Sequence, residues 1–354
     1  MNLNQYKIIK ELGSGVGTVI YLCEAGNKET VIKELTDPHY FDYLNDEIHV
    51  LSKIPRHPHI IHVENAFVFG KKIFIEYEYC QGGDLYDVIQ DHGPFDEAQA
   101  RVLLSQMCSA LLHAKQSGFY HCDIKPENVL LKNDNEFVIA DWDLAKANTT
   151  NSINLSDGST LSMPPEMILG ELNPHSDVYS LGCLLYFCLF GERVFQLKTS
   201  VPQFERVLTH LEAPLTLPEN HLSEAFQCLL KAMLYKNPKR RVSLEEVDAF
   251  LNQGALVLKE DSADVYAVLS DLISEKRIAE SKKASFNKFE RHQKEYKKNK
   301  DEASKEWMLA HLVALSYLKD PDAQAMLLAY RKEPGLAQSR LLKHILSAST
   351  FADA

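Results

Sequence analysis

The hydrophobic period of this chain changes once, near Tyr79, and that change restricts its fold more than any other feature. Before it, short runs rich in β-branched and aromatic residues recur: Val19–Cys23, Thr30–Glu34, Ala66–Phe69 and Ile73–Tyr77. One segment among them, Asp42–Leu51, carries Leu44, Ile48 and Leu51 at helical spacing. Beyond Tyr79 the spacing is helical over Gln99–Ser117, Asp177–Leu189 and Glu224–Met233, with turns at Glu219–Leu222 and Lys236–Arg241. Periodicity alone therefore predicts a strand-rich segment followed by a helix-rich one. The 354 residues allow one large domain with an extension, or two domains.

Composition removes several classes. With 45% hydrophobic and 25% charged residues, the chain is neither disordered, collagen-like nor a coiled-coil rod. The net charge of −11 argues against a nucleic-acid partner, since phosphate binding needs a basic face. The longest apolar run, about Leu184 to Phe190, is far short of the roughly 20 residues a membrane helix needs. No transmembrane segment is expected, and Met1–Lys10 lacks the apolar core of a signal peptide. Seven cysteines, with no C-x-x-C pair, point away from a disulfide framework or structural zinc and toward a reducing, cytoplasmic setting.

Chemistry-bearing residues begin with Gly13-Ser14-Gly15-Val16-Gly17, followed by Val19, between two predicted strands. Glycines let backbone N–H groups approach a phosphate closely, but such a run also makes a plain hairpin. Lys33 follows on the next strand but one, and Glu47 on the helix after it. A buried lysine that faces phosphate needs a carboxylate to orient it. Then come His121-Cys122-Asp123-Ile124-Lys125-Pro126-Glu127-Asn128 and, after a short hairpin, Asp141-Trp142-Asp143. An Asp, a Lys two on, an Asn five on and a second Asp are the parts of a metal–nucleotide site. Pro164-Pro165-Glu166, Asp177 to Gly182 and Asn237 to Arg241 follow in order.

In this order the motifs resemble those of the eukaryotic-type Ser/Thr protein kinase family, over roughly residues 5–252. The resemblance implies an α+β, bilobal protein-kinase-like fold, with a β-rich N-lobe over about 1–79 and an α-rich C-lobe over about 80–252. Residues 253–354 would form an all-α C-terminal extension. It implies ATP and Mg²⁺, with Mn²⁺ as the alternative metal, and transfer of the γ-phosphate to Ser/Thr hydroxyls of protein substrates. Gly13, Ser14, Gly15, Val16, Gly17 and Val19 would cover the nucleotide. Lys33, paired with Glu47, would contact its phosphates. Val31 and Leu130 would sandwich the adenine, Tyr77 would stand as gatekeeper, Glu78 and Cys80 would meet the adenine edge, and Asp84 would reach the ribose. Asp123 would orient and deprotonate the acceptor, Lys125 would neutralise the moving phosphate, and Asn128 and Asp141 would hold the metal. Leu51, Val63, His121 and Trp142 match a stack that ties the lobes together, and Glu166 is expected to pair with Arg241. Lys125 and Ser159 resemble the Ser/Thr branch. A kinase of this type from a bacterium that acts on a host would work in the host cytosol.

Three departures stand out. The glycine run is one residue shorter than G-x-G-x-x-G, Cys122 stands where the family has Arg, and Asp143 where it has Gly. They support an alternative reading, a weak or inactive pseudokinase serving as a nucleotide-binding scaffold. The retained Lys33, Glu47, Asp123, Lys125, Asn128 and Asp141 support catalysis. Glu127 would attract a basic residue of the substrate or lie as a solvated loop carboxylate.

The extension matches no named motif. Val265, Val268, Leu269 and Leu272 form one helical stripe, Leu309, Leu312, Val313 and Tyr317 a second, and Leu341, Leu342, Ile345 and Leu346 a third. Between the first two, Lys282 to Lys305 reads as one exposed charged helix within a Lys/Glu-rich stretch, about 275–306, that contacts only water, or an acidic partner or anionic membrane surface. Because every motif precedes it, the catalytic unit is expected to fold without this extension.

Overall fold

Alternating burial on short strands builds the first layer. The computed structural model describes residues 5–15, 17–70, 72–150, 153, 158–254, 275–317 and 320–330. Strands β1 (Tyr6–Gly15), β2 (Thr18–Ala25), β3 (Lys28–Leu35), β4 (Val63–Phe69) and β5 (Lys72–Glu78) form one antiparallel sheet in the order β1-β2-β3-β5-β4. Thr30 and Ile32 point into a small core with Tyr6, Cys23 and Phe74, whereas Val31 and Lys33 alternate to the opposite face. Against that face packs α1 (Phe41–Lys53), whose buried residues are Leu44, Glu47 and Val50.

The helical lobe consists of α2 (Leu85–His92), α3 (Glu97–Gln116), α4 (Pro165–Ile168), α5 (Ser176–Phe190), α6 (Gln203–Glu212), α7 (Glu224–Met233) and α8 (Leu244–Gln253). Helix α5 is buried from Ser176 to Leu189, as its apolar sequence requires, and forms the centre of the lobe. Asp96 with Gln99, and Ser243 with Glu246, close capping boxes on α3 and α8. Two short strand pairs carry the site: β6 (Phe119–Tyr120) pairs with β9 (Lys146–Ala147), and β7 (Val129–Asn133) with β8 (Glu136–Ile139). The lobes are stitched by Ile61 N–H to Ile139 O at 2.9 Å and Ile139 N–H to His59 O at 2.9 Å.

The extension folds onto the large lobe. Helix α9 (Glu275–Asn299) is followed by α10 (Glu302–Tyr317) and α11 (Pro321–Ala329). The expected single charged helix from Lys282 to Lys305 is not formed. The helix stops at Asn299, Lys300 takes a left-handed φ of 56°, and Asp301 accepts from Ser304 N–H at 2.8 Å to start α10. Nor is it exposed all round, because Phe289 is buried. Leu309, Leu312 and Val313 are buried, but so is every residue from Met308 to Leu315, so that part of α10 is buried around its circumference rather than on one stripe. The first and third stripes lie outside the described residues.

This packing revises the expectation of an independent catalytic unit. Met308, Leu309, Leu312 and Phe289 share one continuous apolar core with Phe204, Val207 and Leu208 of α6 and with Met163, Met167 and Ile168 around α4. Tyr120, Cys122 and Ile153 belong to the same core.

Candidate active site

Backbone geometry sets the upper wall. Gly15 pairs with Thr18, so β1 and β2 turn through two residues, and Gly17 sits at φ 73°, a conformation in which a Cβ is strained. Its carbonyl accepts from Thr36 N–H at 2.9 Å and Asp37 N–H at 3.2 Å, which ties the short loop to the end of β3. Gly13, Ser14 and Gly15 finish β1 and Val19 lies on β2, while Val16 lies outside the described residues.

Lys33 reaches down from β3. Its Nζ lies 2.8 Å from Glu47 Oε2 and 3.3 Å from Asp141 Oδ1. Burial opposes the ammonium charge, yet Glu47, with smaller help from Asp141, outweighs it and holds Lys33 well above the usual lysine range. Burial would likewise raise Asp141, but Lys33 and Lys125 together keep its carboxyl below the usual value. Tyr77 pairs with Val31 across the sheet and is buried, and burial beside Glu47 raises its hydroxyl well above the ordinary range.

The lower wall centres on Asp123. Its Oδ2 accepts from Lys125 Nζ at 2.5 Å and Asn128 Nδ2 at 3.1 Å, and its Oδ1 accepts from the Ser159 backbone N–H at 2.9 Å. Asn128 Nδ2 also donates to Asp123 O at 2.9 Å. Both amide donors of Asn128 are therefore spent on Asp123, which leaves its side-chain oxygen for a cation. Asp177 fixes the loop from beneath, accepting from His121 N–H at 2.8 Å and Cys122 N–H at 2.9 Å. Burial raises the Asp177 carboxyl, with His121 and these two N–H groups opposing it. Cys122 and Asp141 hold left-handed φ values of 68° and 63°, strain of roughly 1 kcal/mol or more each that the surrounding bonds must offset.

His121 acts as packing and wiring. Its Nε2 lies 3.0 Å from Ala140 O, its Nδ1 accepts from Asp123 N–H at 3.3 Å, and its ring meets Trp142 edge-on at 4.5 Å. Leu51 and Val63 join the same core, as the expected lobe-spanning stack requires. Of the triplet from Asp141 to Asp143, only Asp141 lies at positive φ, so this conformation does not call for glycine at position 143. Burial and the neighbouring Asp141 push the Asp143 carboxyl up to about 7.

The residues expected on the adenine side have wiring of their own. Val31 and Leu130 are half-buried against the main core, and Cys80 is buried. Glu78 spends its backbone N–H on His62 O at 3.3 Å and its carboxylate on His62 N–H at 3.1 Å and Lys132 at 2.8 Å. Asp84 is the N-cap of α2, accepting from Asp87 N–H at 3.0 Å, a role the sequence reading passed over. Glu127 is met by Arg193, and its side chain stays partly exposed. The Ser159 amide on Asp123 was also missed, because a backbone donor leaves no mark on residue identity. Gly158 before it, at φ 121° and where a Cβ would lie only 3.2 Å from Cys122 O, was the available signal.

A lysine–glutamate pair in a strand-rich lobe, set over an Asp/Lys/Asn/Asp group at the head of a helical lobe, is the arrangement of a two-lobed kinase. A family model described as the protein kinase domain matches residues 6–250, and the chain belongs to the protein kinase family. It is similar to serine/threonine-protein kinase cds1 of Schizosaccharomyces pombe, 30% identical over 263 residues, which cover 69% of this chain and 57% of that protein. It is also similar to serine/threonine-protein kinase ATG1a of Arabidopsis thaliana, 31% identical over 258 residues, 69% of this chain and 41% of that protein. The chain thus spans about half the length of these relatives. Aurora/IPL1-related protein kinase 2 of Caenorhabditis briggsae is 29% identical over 294 residues, 80% of this chain and 90% of that protein.

Proposed function

We propose that this protein transfers the γ-phosphate of ATP to Ser or Thr hydroxyls of protein substrates, working in a reducing, cytoplasmic setting. The observation that carries the reading is Lys33, joined at 2.8 Å to Glu47 and at 3.3 Å to Asp141 while Asp123 gathers Lys125 and Asn128. A pseudokinase has no need to keep all six groups converged, and that convergence favours catalysis over the scaffold reading. The oxygen-only pair of Asn128 and Asp141 fits a hard divalent cation and supports Mg²⁺, with Mn²⁺ suited to the same oxygens. When bound, the nucleotide and its cation supply an activated phosphoryl group.

The protein's own contribution is positioning and charge. Glu47 holds Lys33 cationic and extended toward the phosphates. Each carboxylate oxygen of Asp123 offers about two acceptor positions. Lys125 and Asn128 fill those of Oδ2, and the Ser159 N–H takes one on Oδ1. The remaining position on Oδ1 is the one that accepts the hydrogen bond, and then the proton, of the acceptor hydroxyl. Lys125 is kept charged by Asp123 against its burial and stands ready for charge on the phosphate. Lys125 and Ser159, as in the Ser/Thr branch, support that acceptor class, and the buried free thiols support the compartment. The test is phosphoryl transfer by wild type and by Lys33→Ala, Asp123→Ala and Asp141→Ala, followed by phosphoamino-acid analysis. Each substitution is expected to lower the rate by several orders of magnitude, with phosphate on Ser or Thr. A near-wild-type rate in any of the three, or mainly phosphotyrosine, overturns the corresponding assignment.

A further inference from the structure

We propose that the C-terminal extension is a positioning element for the acceptor peptide: Glu306 of α10 caps α6, and α6, through Arg206, sets Thr160 and with it the Ser159 amide on Asp123. This rests on the protein-kinase reading above and adds to it a part of the chain that no family motif covers.

The links are each visible. Helix α6 starts after Pro202, which offers no side-chain cap, so its first N–H groups need an outside acceptor. Glu306 supplies one, with Oε2 accepting from Gln203 N–H at 3.2 Å. A carboxylate at a helix N-terminus is favoured both as a hydrogen-bond acceptor and by the helix dipole. Three residues into α6, Arg206 donates from Nε to Val201 O at 2.7 Å and through Nη2 to Thr199 O. Its Nη1 reaches Thr160 Oγ1 at 3.3 Å. Burial disfavours the Arg206 charge and Glu306 offsets part of that penalty, so the same carboxylate serves the helix end and the arginine. Thr160 is buried, and its neighbour Ser159 makes the 2.9 Å bond to Asp123 Oδ1. Ser162, two residues on, is fixed by Ile124 O at 3.1 Å and Ser180 at 3.0 Å.

The apolar packing points the same way. Leu309 and Leu312 of α10 share a core with Val207 and Leu208 of α6 and with Met163 in the segment after Thr160. The tail, α6 and the segment after Thr160 are therefore joined through one apolar core. Cys122 lies in this core, where the family places an arginine that clamps a loop phosphate. Packing by the extension takes the place of that clamp.

The experiment compares the full chain with Glu306→Ala, Glu306→Gln and Arg206→Ala. Amide hydrogen exchange over residues 158–163 is one readout, because it needs no catalysis. The other is the split of KM and kcat on dephosphorylated casein, with the Kd for Mg²⁺-ADP as a control. Exchange over 158–163 is expected to quicken in Glu306→Ala and Arg206→Ala while α3 stays protected. Casein KM should rise by up to about fivefold, the loss of one helix cap at 1.4 kcal/mol per decade. The nucleotide Kd should stay within twofold, and Glu306→Gln, which keeps an acceptor oxygen, should recover most of the loss. Unchanged exchange over 158–163 in both alanine variants overturns the proposal, as does an equal loosening of α3, which marks global destabilisation. Wild type that transfers no phosphate overturns the kinase reading instead, and the exchange result still decides the positioning role.

Discussion

Replacing Arg241 by Met should cost the fold about 3–5 kcal/mol, the penalty for stranding a buried charge. Arg241 is fully buried, and its guanidinium donates to Glu166 Oε1 at 2.6 Å and Oε2 at 2.9 Å. It also donates to the carbonyls of Tyr235 at 2.9 Å, His175 at 2.8 Å and Lys236 at 3.3 Å. Methionine fills much of the volume and satisfies none of these acceptors. Glu166 would keep one side-chain donor, Ser176 Oγ at 2.8 Å, in a site where 2% of the residue is exposed. Against a total stability of about 5–15 kcal/mol, that loss is roughly a fifth or more of the margin. The assay is urea unfolding at pH 7 with a double-mutant cycle through Glu166→Leu. Removing both charges should cost far less than the sum of the single changes, because a buried ion pair exchanged whole for apolar side chains is nearly neutral. A single-variant loss under about 1 kcal/mol, or strict additivity in the cycle, refutes the reasoning: the guanidinium would not then be what compensates Glu166.

Three further outcomes are expected. His311 is fully buried with both ring nitrogens unpartnered among the described residues, and burial pushes it down to about 3, so its neutral form stabilises the fold above pH 6.5 and that contribution is lost as pH falls toward 3. His311→Leu should therefore gain stability over wild type at pH 5 more than at pH 7.5, and equal gains at both values would contradict this. Truncation after Gly254 should yield an aggregation-prone protein, since it bares Phe204, Val207, Leu208 and Met167, and a soluble, cooperatively unfolding product would show that the shared core is dispensable. Alanine at Thr149, Thr150, Ser152 and Ser156 together should leave initial rates near those of dephosphorylated wild type, because Cys122 is a buried thiol held well above its ordinary range by burial and cannot clamp phosphate, and a large loss in a folded variant would reveal a hydroxyl or phosphate switch. Ser152 and Ser156 lie outside the described residues.

The order of elements was legible because each leaves a local imprint. The strands of the small lobe match β2 to β5 within a few residues, and the helices Gln99–Ser117, Asp177–Leu189 and Glu224–Met233 match α3, α5 and α7. Lys33, Glu47, Asp123, Lys125, Asn128 and Asp141 were legible too, since phosphate and metal chemistry needs charged or amide side chains at those places in the chain order. What stayed hidden depends on backbone groups and distant partners. The Ser159 N–H on Asp123 and the Gly17 carbonyl under Thr36 and Asp37 involve atoms that every residue has, and no residue type announces them.

The sequence by itself determined which residues carry charge to the cleft and in what order the strands and helices run, because hydrophobic period and side-chain chemistry are local properties. Only the tertiary structure decided what the extension does. The run from Met308 to Leu315 is buried on every side, so its own periodicity names no partner, and the apolar face of α6 that meets it is invisible until α6 is folded. Glu306 looks like any helix glutamate until the bare N-terminus of α6 lies against it, 103 residues away in the chain. Burial and capping of this kind are set by contacts between segments far apart in sequence, and only the folded chain brings those segments together.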